Sequence, residues 1–168
     1  MLGWKWEKMV LVALAVALFA GCSSQSPESL AQQAKNLGVY ARADNSFRVL
    51  TVFGVENDDS GWTRFMFTES IPKAQAVSYF VVNVPDAKIS DSQLFLLPNA
   101  LAAKWVLERP TDPRNPKPLK ATIEPLSATV YKVSLAEPSA KTSKGFLCLW
   151  LKMPMGTADR LYAIQVGG

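Results

Sequence analysis

Residues 146–153 of the chain read Phe-Leu-Cys-Leu-Trp-Leu-Lys-Met, so apolar side chains occupy both the odd and the even positions of most of this run. Successive side chains of a β-strand point to opposite faces of its sheet, and a strand with one face in water therefore alternates apolar and polar residues. A run that is apolar on both faces is typical of a strand covered on both sides. We predict that residues 146–153 form a central, doubly covered strand.

Other apolar patterns along the chain also have the period of a β-strand. In residues 160–166, for example, Tyr162, Ile164 and Val166 share one face. The remaining candidate strands are residues 47–55, 62–68, 77–84, 93–97, 104–108, 119–124 and 129–135. Short strands at this spacing, with no long helical pattern between them, favour an antiparallel sandwich or barrel over βαβ units. The predicted fold class is therefore all-β, an antiparallel β-sandwich of immunoglobulin-like or transthyretin-like arrangement.

A short helix is predicted ahead of these strands. Ser26, Pro27 and Glu28 suit an N-cap, a first helical position and an acidic first turn. Leu30, Ala34 and Leu37 then fall on one helix face, and Gly38 is a typical helix end. We expect three parts: residues 1–21 as a signal segment, 22–46 as tether and short amphipathic helix, and 47–168 as the β-domain.

The N-terminal segment has the pattern of an export signal. Lys5 and Lys8 precede an unbroken apolar run, residues 9–20, which is 12 residues long. As a helix this run would span about 18 Å, which is short of the roughly 30 Å hydrocarbon core of a bilayer. Its length suits the apolar region of a signal peptide. The run ends in the sequence Phe19-Ala20-Gly21-Cys22.

With this ending, residues 1–22 resemble the signal peptide of bacterial lipoproteins. The resemblance implies cleavage between Gly21 and Cys22 and lipidation of the Cys22 thiol, so that membrane lipid is the first expected partner. Ser23, following the cysteine, implies an outer-membrane lipoprotein that faces the periplasm. In a cell without an outer membrane, the same signal implies the outer face of the cell membrane. The resemblance covers no part of the β-domain.

The composition argues against catalysis and metal chemistry. The chain contains no His, which is the commonest metal ligand and the commonest general base at neutral pH. If Cys22 is lipidated, Cys148 has no partner, and its apolar neighbours predict a buried core thiol. No phosphate-binding Gly loop or nucleophile elbow is found. We predict a protein that is not an enzyme and has no cofactor and no metal site. Beyond residue 21 the chain has 16 basic and 13 acidic residues and no dense basic run, so we predict no nucleic-acid partner.

A proline-rich basic segment is the best candidate for docking a partner. Pro110, Pro113 and Pro116 recur at every third residue, which is the period of a polyproline II helix. Such a segment loses little conformational entropy on binding. The predicted docking residues are Arg109, Pro110, Pro113, Arg114, Pro116 and Lys117. The alternative is a stiff loop whose prolines discourage pairing between sheet edges.

Two further features suggest other ligands. Trp105, with Trp62, could line a groove for a small ligand or a carbohydrate. The acidic cluster Glu56-Asn57-Asp58-Asp59 could bind Ca²⁺ through oxygen ligands, although its composition is also that of an exposed turn. The favoured function is a membrane-anchored envelope lipoprotein that acts as a non-catalytic protein-binding or assembly module, with another envelope protein as its expected partner. The alternative is a small-ligand or carbohydrate-binding β-sandwich lipoprotein.

Overall fold

A computed structural model describes the chain at residues 26–34, 36–57, 63–66, 70–97, 104–107, 117–136 and 144–167. The helix of the described part is α1 (Pro27–Gln33). Its strands are, in chain order, β1 (Gly38–Ala43), β2 (Ser46–Leu50), β3 (Val52–Asn57), β4 (Thr63–Met66), β5 (Lys73–Ala74), β6 (Val77–Asn83), β7 (Gln93–Leu97), β8 (Lys104–Leu107), β9 (Ala121–Pro125), β10 (Val130–Leu135), β11 (Gly145–Leu151) and β12 (Arg160–Val166). A single 3₁₀ turn, Ile89–Asp91, lies between β6 and β7.

These strands form two sheets. The five-stranded sheet has the order β2-β1-β6-β10-β9, and the seven-stranded sheet has the order β7-β11-β12-β3-β4-β8 with β5 beside β12. Every described pairing is antiparallel except that of β5 with β12. The prediction of an all-β, mainly antiparallel fold is confirmed.

The predicted central strand is also confirmed, as β11. It lies between β7 and β12 in the seven-stranded sheet. Leu147, Leu149 and Leu151 on one face are at most 1% exposed. On the opposite face Cys148 is fully buried and Trp150 is half-buried. Burying large side chains on both faces is worth roughly 2–5 kcal/mol per leucine, as judged from truncation to Ala.

One apolar cluster is shared between the two sheets. From the five-stranded sheet it contains Val39, Phe80 and Val133, and from the seven-stranded sheet it contains residues such as Leu149 and Ile164. We call it the inter-sheet cluster. Because apolar area removed from water stabilises a fold by roughly 25 cal/mol per Å², this shared cluster holds the two sheets together.

The seven-stranded sheet is strongly coiled around a second cluster on its other face. Phe65 of β4 and Phe95 of β7 stack with their ring centroids 5.6 Å apart. In a flat sheet of this strand order, four strand spacings would separate them by about 19 Å. The sheet therefore curls until β4 faces β7. The second cluster, which the curl encloses, includes Phe53, Cys148 and Leu161.

The predicted N-terminal helix is present but shorter than expected. Helix α1 is confirmed but ends at Gln33, and Leu37 is 72% exposed rather than packed beside Leu30 and Ala34. The cause is tertiary, since the buried Asn83 side chain donates hydrogen bonds to the carbonyl oxygens of Ala34 (2.6 Å) and Asn36 (3.3 Å). These bonds draw the chain away from a helical path.

The first strand begins at Gly38, earlier than the predicted first strand at Phe47. Between β1 and β2, Asp44 (φ 47°) and Asn45 (φ 63°) form a two-residue hairpin turn with both residues in the left-handed region. Asp and Asn tolerate this region and favour such turns. The predicted strand 47–55 is divided at Thr51, because β2 belongs to the five-stranded sheet and β3 to the seven-stranded one.

Candidate functional site

Most of the residues predicted to carry function lie outside the described residues. These are Gly21 and Cys22 at the signal, Trp62 of the proposed groove, residues 109–116 of the proline-rich segment, and Asp58 and Asp59 of the acidic cluster. Trp105 lies on β8, where its backbone is opposite Phe65 of β4. Glu56 and Asn57 lie at the end of β3 and thus belong to a strand rather than to a turn. Lys117 is exposed.

The end of the proline-rich segment is anchored beside the seven-stranded sheet. The Leu119 amide donates a 2.6 Å hydrogen bond to the Leu94 carbonyl oxygen of β7. The Leu119 side chain packs against the inter-sheet cluster. The chain then enters β9 of the other sheet within two residues. The predicted docking segment therefore connects β8, at one edge of the seven-stranded sheet, with β9, at one edge of the five-stranded sheet.

Strand β9 lies at an edge of the five-stranded sheet and is exposed along its whole length. All five of its residues are exposed, and β10 is its one described neighbour. Ile123 is 39% exposed, although it lies opposite Val133 on the face of the inter-sheet cluster. On the other face the Glu124 carboxylate pairs with the Lys132 ammonium at 3.1 Å. An open sheet edge of this kind offers backbone groups to another chain.

An aromatic surface lies on the other side of the five-stranded sheet. The rings of Phe47 and Tyr79 meet edge to face at 6.2 Å. The Arg42 guanidinium lies 5.2 Å from the Phe47 ring, and the Lys132 ammonium lies 5.3 Å from the Tyr79 ring. In each of these cation–π contacts a cation of the chain already lies over the aromatic ring. Much of this surface is therefore engaged in contacts within the chain.

An open cleft of about 360 Å³ lies beside the residues that lead into β1 and those that follow β6 and β11. Its lining combines apolar and polar side chains: Leu37, Pro85, Met153 and Pro154, with Asp86, Thr157 and Arg160. It contains one acid and one base and has room for a small ligand. The cleft is formed by other residues than the Trp62 and Trp105 of the predicted groove.

Asp159 organises the hairpin between β11 and β12, and it was not among the residues singled out from the sequence. Its Oδ1 atom accepts a hydrogen bond from the Met153 amide (3.0 Å), and its Oδ2 atom accepts from Trp150 Nε1 (3.0 Å) and Lys152 Nζ (2.9 Å). The Lys152 ammonium also lies 3.5 Å from the centroid of the Trp150 ring. Trp150, Lys152 and the Met153 amide are thus all bonded to Asp159, which is typical of a group that fixes a hairpin. We call this group the Asp159 lock.

The electrostatics of Asp159 agree with that role. Burial of the carboxyl is the largest single influence and acts to raise its pKa. The hydrogen bonds from Met153, Lys152 and Trp150, with the charge of Lys152, together outweigh burial and leave the pKa of Asp159 below its usual value. The ionised form is therefore the one that the folded hairpin stabilises.

Asp44 performs a similar task at the β1–β2 turn. Its Oδ1 atom accepts hydrogen bonds from the amides of Gln75 and Ala76, each at 3.0 Å. The Arg48 guanidinium lies 3.4 Å from Oδ2 and also donates to the Lys73 carbonyl oxygen. The Ala76 and Gln75 amides, with the charge of Arg48, lower the pKa of the Asp44 carboxyl. The turn is thus fixed to the segment that precedes β6.

The Cys148 thiol is a core group, as its sequence context predicts. It is fully buried within the second cluster and makes no disulfide. Burial raises the pKa of this thiol far above its ordinary value. At neutral pH the thiol is therefore protonated, and a protonated thiol is a poor nucleophile.

Neither a metal-binding group of side chains nor a membrane-spanning helix is found in the described residues. Among them, no three His, Cys, Asp or Glu side chains are grouped so as to hold a metal ion. In the same ranges, no helix has the length and apolar character needed to span a bilayer. Comparison of the chain with protein-family models, with curated proteins and with solved structures found no match.

The Asp159 lock leads to a prediction about stability and pH. Because the pKa of Asp159 is lower in the folded chain than in the unfolded chain, its ionised form adds stability above the ordinary Asp pKa of about 3.9. That stability is lost as the pH falls through the lower, folded pKa. We expect Asp159→Asn to lower the free energy of unfolding at pH 7 by about 1–3 kcal/mol, measured by urea titration. The difference from the natural chain should shrink below about pH 4.

Asp91→Asn provides the matched control, because the exposed Asp91 carboxylate accepts a hydrogen bond from its sequence neighbour Ser90 within the 3₁₀ turn Ile89–Asp91. We expect this control to change stability by less than about 0.5 kcal/mol. The stabilising role of the Asp159 lock is contradicted if Asp159→Asn is as stable as the natural chain at pH 7. It is also contradicted if the difference in free energy of unfolding between the two chains increases in acid.

Proposed function

We propose that this chain is a lipid-anchored protein of the bacterial envelope whose β-domain binds another envelope protein without catalysing a reaction. The observation that carries the proposal is the order of features at the N-terminus: Lys5 and Lys8, the apolar run of residues 9–20, and the sequence Phe19-Ala20-Gly21-Cys22. On this proposal the cell sorts the protein to the outer membrane, facing the periplasm. In a cell without an outer membrane, it lies at the outer face of the cell membrane.

The position of α1 supports a body held close to the membrane. The N-cap of α1 is Ser26, four residues beyond Cys22. A fully extended chain of four residues spans at most about 14 Å. A lipid on Cys22 would therefore keep the helix, and the five-stranded sheet to which Asn83 joins it, near the lipid surface.

We propose a β-sandwich as the architecture of the domain. The inter-sheet cluster, with members such as Val39 and Phe80 from one sheet and Leu149 and Ile164 from the other, supports face-to-face packing. The coiling of the seven-stranded sheet around its second cluster is an addition to a plain two-layer sandwich. An immunoglobulin-like or transthyretin-like arrangement stays a prediction.

A binding role is supported by the surface on which the proline-rich segment ends. Lys117 and Lys120 are exposed on either side of the anchored Leu119, and the exposed strand β9 follows directly. A proline-rich basic segment beside this surface offers a partner positive charge at a small cost in conformational entropy. The buried, protonated Cys148 supplies no nucleophile, which supports a role without catalysis.

The alternative function, small-ligand binding, is favoured by a different observation. The cleft of about 360 Å³ between Leu37, Met153 and Arg160 is within the size range of small-molecule sites. A ligand there would contact the apolar side chains and could pair with Arg160 or Asp86. This alternative does not use the proline-rich segment.

The anchor is tested by replacing each of the two cysteines in turn. Expressed in a bacterium that is fed labelled palmitate, the natural chain should carry the label and fractionate with membranes, because stable anchoring takes more than one acyl chain. Cys22→Ala should lose the label and leave the membrane fraction. Cys148→Ala is the matched control and should keep both. Label that persists in Cys22→Ala, or is absent from the natural chain, contradicts the anchor.

Docking is tested by exchanging residues 109–117 for nine Gly and Ser residues, which leaves the bond between Leu119 and Leu94 in place. We expect chemical cross-linking in intact envelopes to recover the partner about tenfold less, because a flexible segment must be ordered on binding and lacks the basic groups. A chain with Lys88→Ala and Lys144→Ala, which removes two exposed charges elsewhere, should retain the partner. An unchanged set of partners after the exchange would contradict docking through this segment.

A further inference from the structure

We propose that β9 is a self-association surface, through which two copies of the chain join edge to edge and antiparallel. The pairing would extend the five-stranded sheet of one copy into that of the other. This pairing involves the β-domain alone and needs neither the lipid anchor nor the proposed envelope partner. The direction of the backbone groups of β9 and the placement of its charges point to it.

The hydrogen bonds of β9 show which of its backbone groups face outward. At one end of the strand the Ala136 amide donates to the Lys120 carbonyl oxygen at 3.0 Å, and at the other the Leu126 amide donates to the Val130 carbonyl oxygen at 2.8 Å. Bonded residues alternate along an antiparallel pair, so the even-numbered residues of β9 bond to β10. The amide and carbonyl groups of Ala121 and Ile123 therefore point away from β10.

The open part of this edge has defined ends. On one side Pro118 has no amide hydrogen, and the Leu119 amide is already bonded to Leu94. On the other side Pro125 has no amide hydrogen to offer. Between them, Ala121 and Ile123 each offer one donor and one acceptor. The prolines thus limit the edge to a single short ladder and restrict the registers in which another strand can pair with it.

A second copy fits this ladder when its β9 runs antiparallel and Thr122 lies opposite its own symmetry mate. Ala121 then faces Ile123 of the second copy, and Ile123 faces Ala121 of the second copy. Both are residues with outward backbone groups, so each pair exchanges two hydrogen bonds and the symmetric interface contains four. A twofold axis of this type gives a closed dimer.

The charges of β9 are complementary in this register. Lys120 lies opposite Glu124 of the second copy, and the twofold axis repeats the pair at the other end. Opposite charges across a strand pair are favourable, whereas like charges are unfavourable. A parallel pairing in register would place Lys120 opposite Lys120 and Glu124 opposite Glu124, so the charges select the antiparallel dimer.

The dimer also covers apolar area that a single copy leaves in water. Ile123 is 39% exposed, and no residue of β9 belongs to the inter-sheet cluster. In the dimer its side chain would pack against Ala121 of the second copy on the same face. A five-residue strand buries less than the roughly 1,200 Å² of a stable interface, so association should be weak in dilute solution and stronger where copies are concentrated.

The register is tested by disulfide formation in the full chain, expressed in bacterial envelopes and treated with a mild oxidant. In the proposed dimer the two Thr122 Cα atoms lie about 4.5 Å apart, within the range that a disulfide spans. Thr122→Cys should therefore give a covalent dimer on a non-reducing gel. Glu124→Cys is the matched control, because the two Glu124 positions would lie about 13 Å apart and should give about tenfold less dimer or none. The natural chain measures any background from Cys22 and Cys148.

Further substitutions in the Thr122→Cys chain separate the contribution of the backbone hydrogen bonds from that of the side-chain charges. Ile123→Pro removes an outward donor from each copy and should lower the yield of dimer about tenfold, whereas Ile123→Thr keeps the donor and should retain most of it. Lys120→Glu places like charges opposite each other and should lower the yield, and adding Glu124→Lys should restore it. These exposed charge exchanges keep the test valid if the proline variant fails to fold.

The proposal is overturned by equal cross-linking of Thr122→Cys and Glu124→Cys, or by the absence of a Thr122→Cys dimer. It is also overturned if that cysteine joins a different protein and not a second copy. Because the readout is a homodimer, loss of the envelope partner after exchange of residues 109–117 leaves this result unaffected.

Discussion

The need to bury both faces of the seven-stranded sheet is the constraint on which the rest of the structure depends. β11 presents Leu147, Leu149 and Leu151 on one face and Cys148 with half-buried Trp150 on the other. A second sheet can cover only one of these faces. The five-stranded sheet does so through the inter-sheet cluster, and the other face is enclosed by the coil that brings Phe65 to 5.6 Å from Phe95.

A few polar side chains hold the connections around these two apolar interiors. Asn83 fixes the residues after α1, Asp44 fixes the β1–β2 turn, and Asp159 fixes the β11–β12 hairpin. Each of them accepts from or donates to backbone groups that no strand pairing satisfies. Since an unpaired buried backbone group costs free energy, such contacts are typical of positions where the chain leaves a sheet.

The sequence predicted the parts of the fold that depend on local pattern. The doubly apolar run of residues 146–153 predicted β11, and the alternation in residues 160–166 predicted β12. Strand β1 is missing from the sequence prediction, because Gly38 is typical of a helix end and residues 22–46 are assigned to the tether and the helix, although Asp44 and Asn45 form a pair typical of a hairpin turn. That pair, between two short alternating segments, was the signal that could have identified it.

Other features were beyond prediction from one sequence because they depend on pairing between distant residues. The division of residues 47–55 at Thr51 follows from the position of two different sheets, and α1 ends early because Asn83 reaches it from β6. The openness of β9 likewise depends on which strand lies beside it. Local composition identified the proline-rich segment, but only the strand order shows that this segment ends at the edge formed by β9.

The outer edge of β9 is open within one chain, and we infer that a second copy pairs with it. Native-state amide hydrogen exchange of Thr122 and Ile123 tests it most directly, because these adjacent amides point to opposite sides of β9. We predict that the Thr122 amide is protected at every protein concentration, whereas the Ile123 amide exchanges fast in dilute protein and more slowly as the concentration rises. An Ile123 amide that is protected to the same degree in dilute and concentrated protein would contradict it.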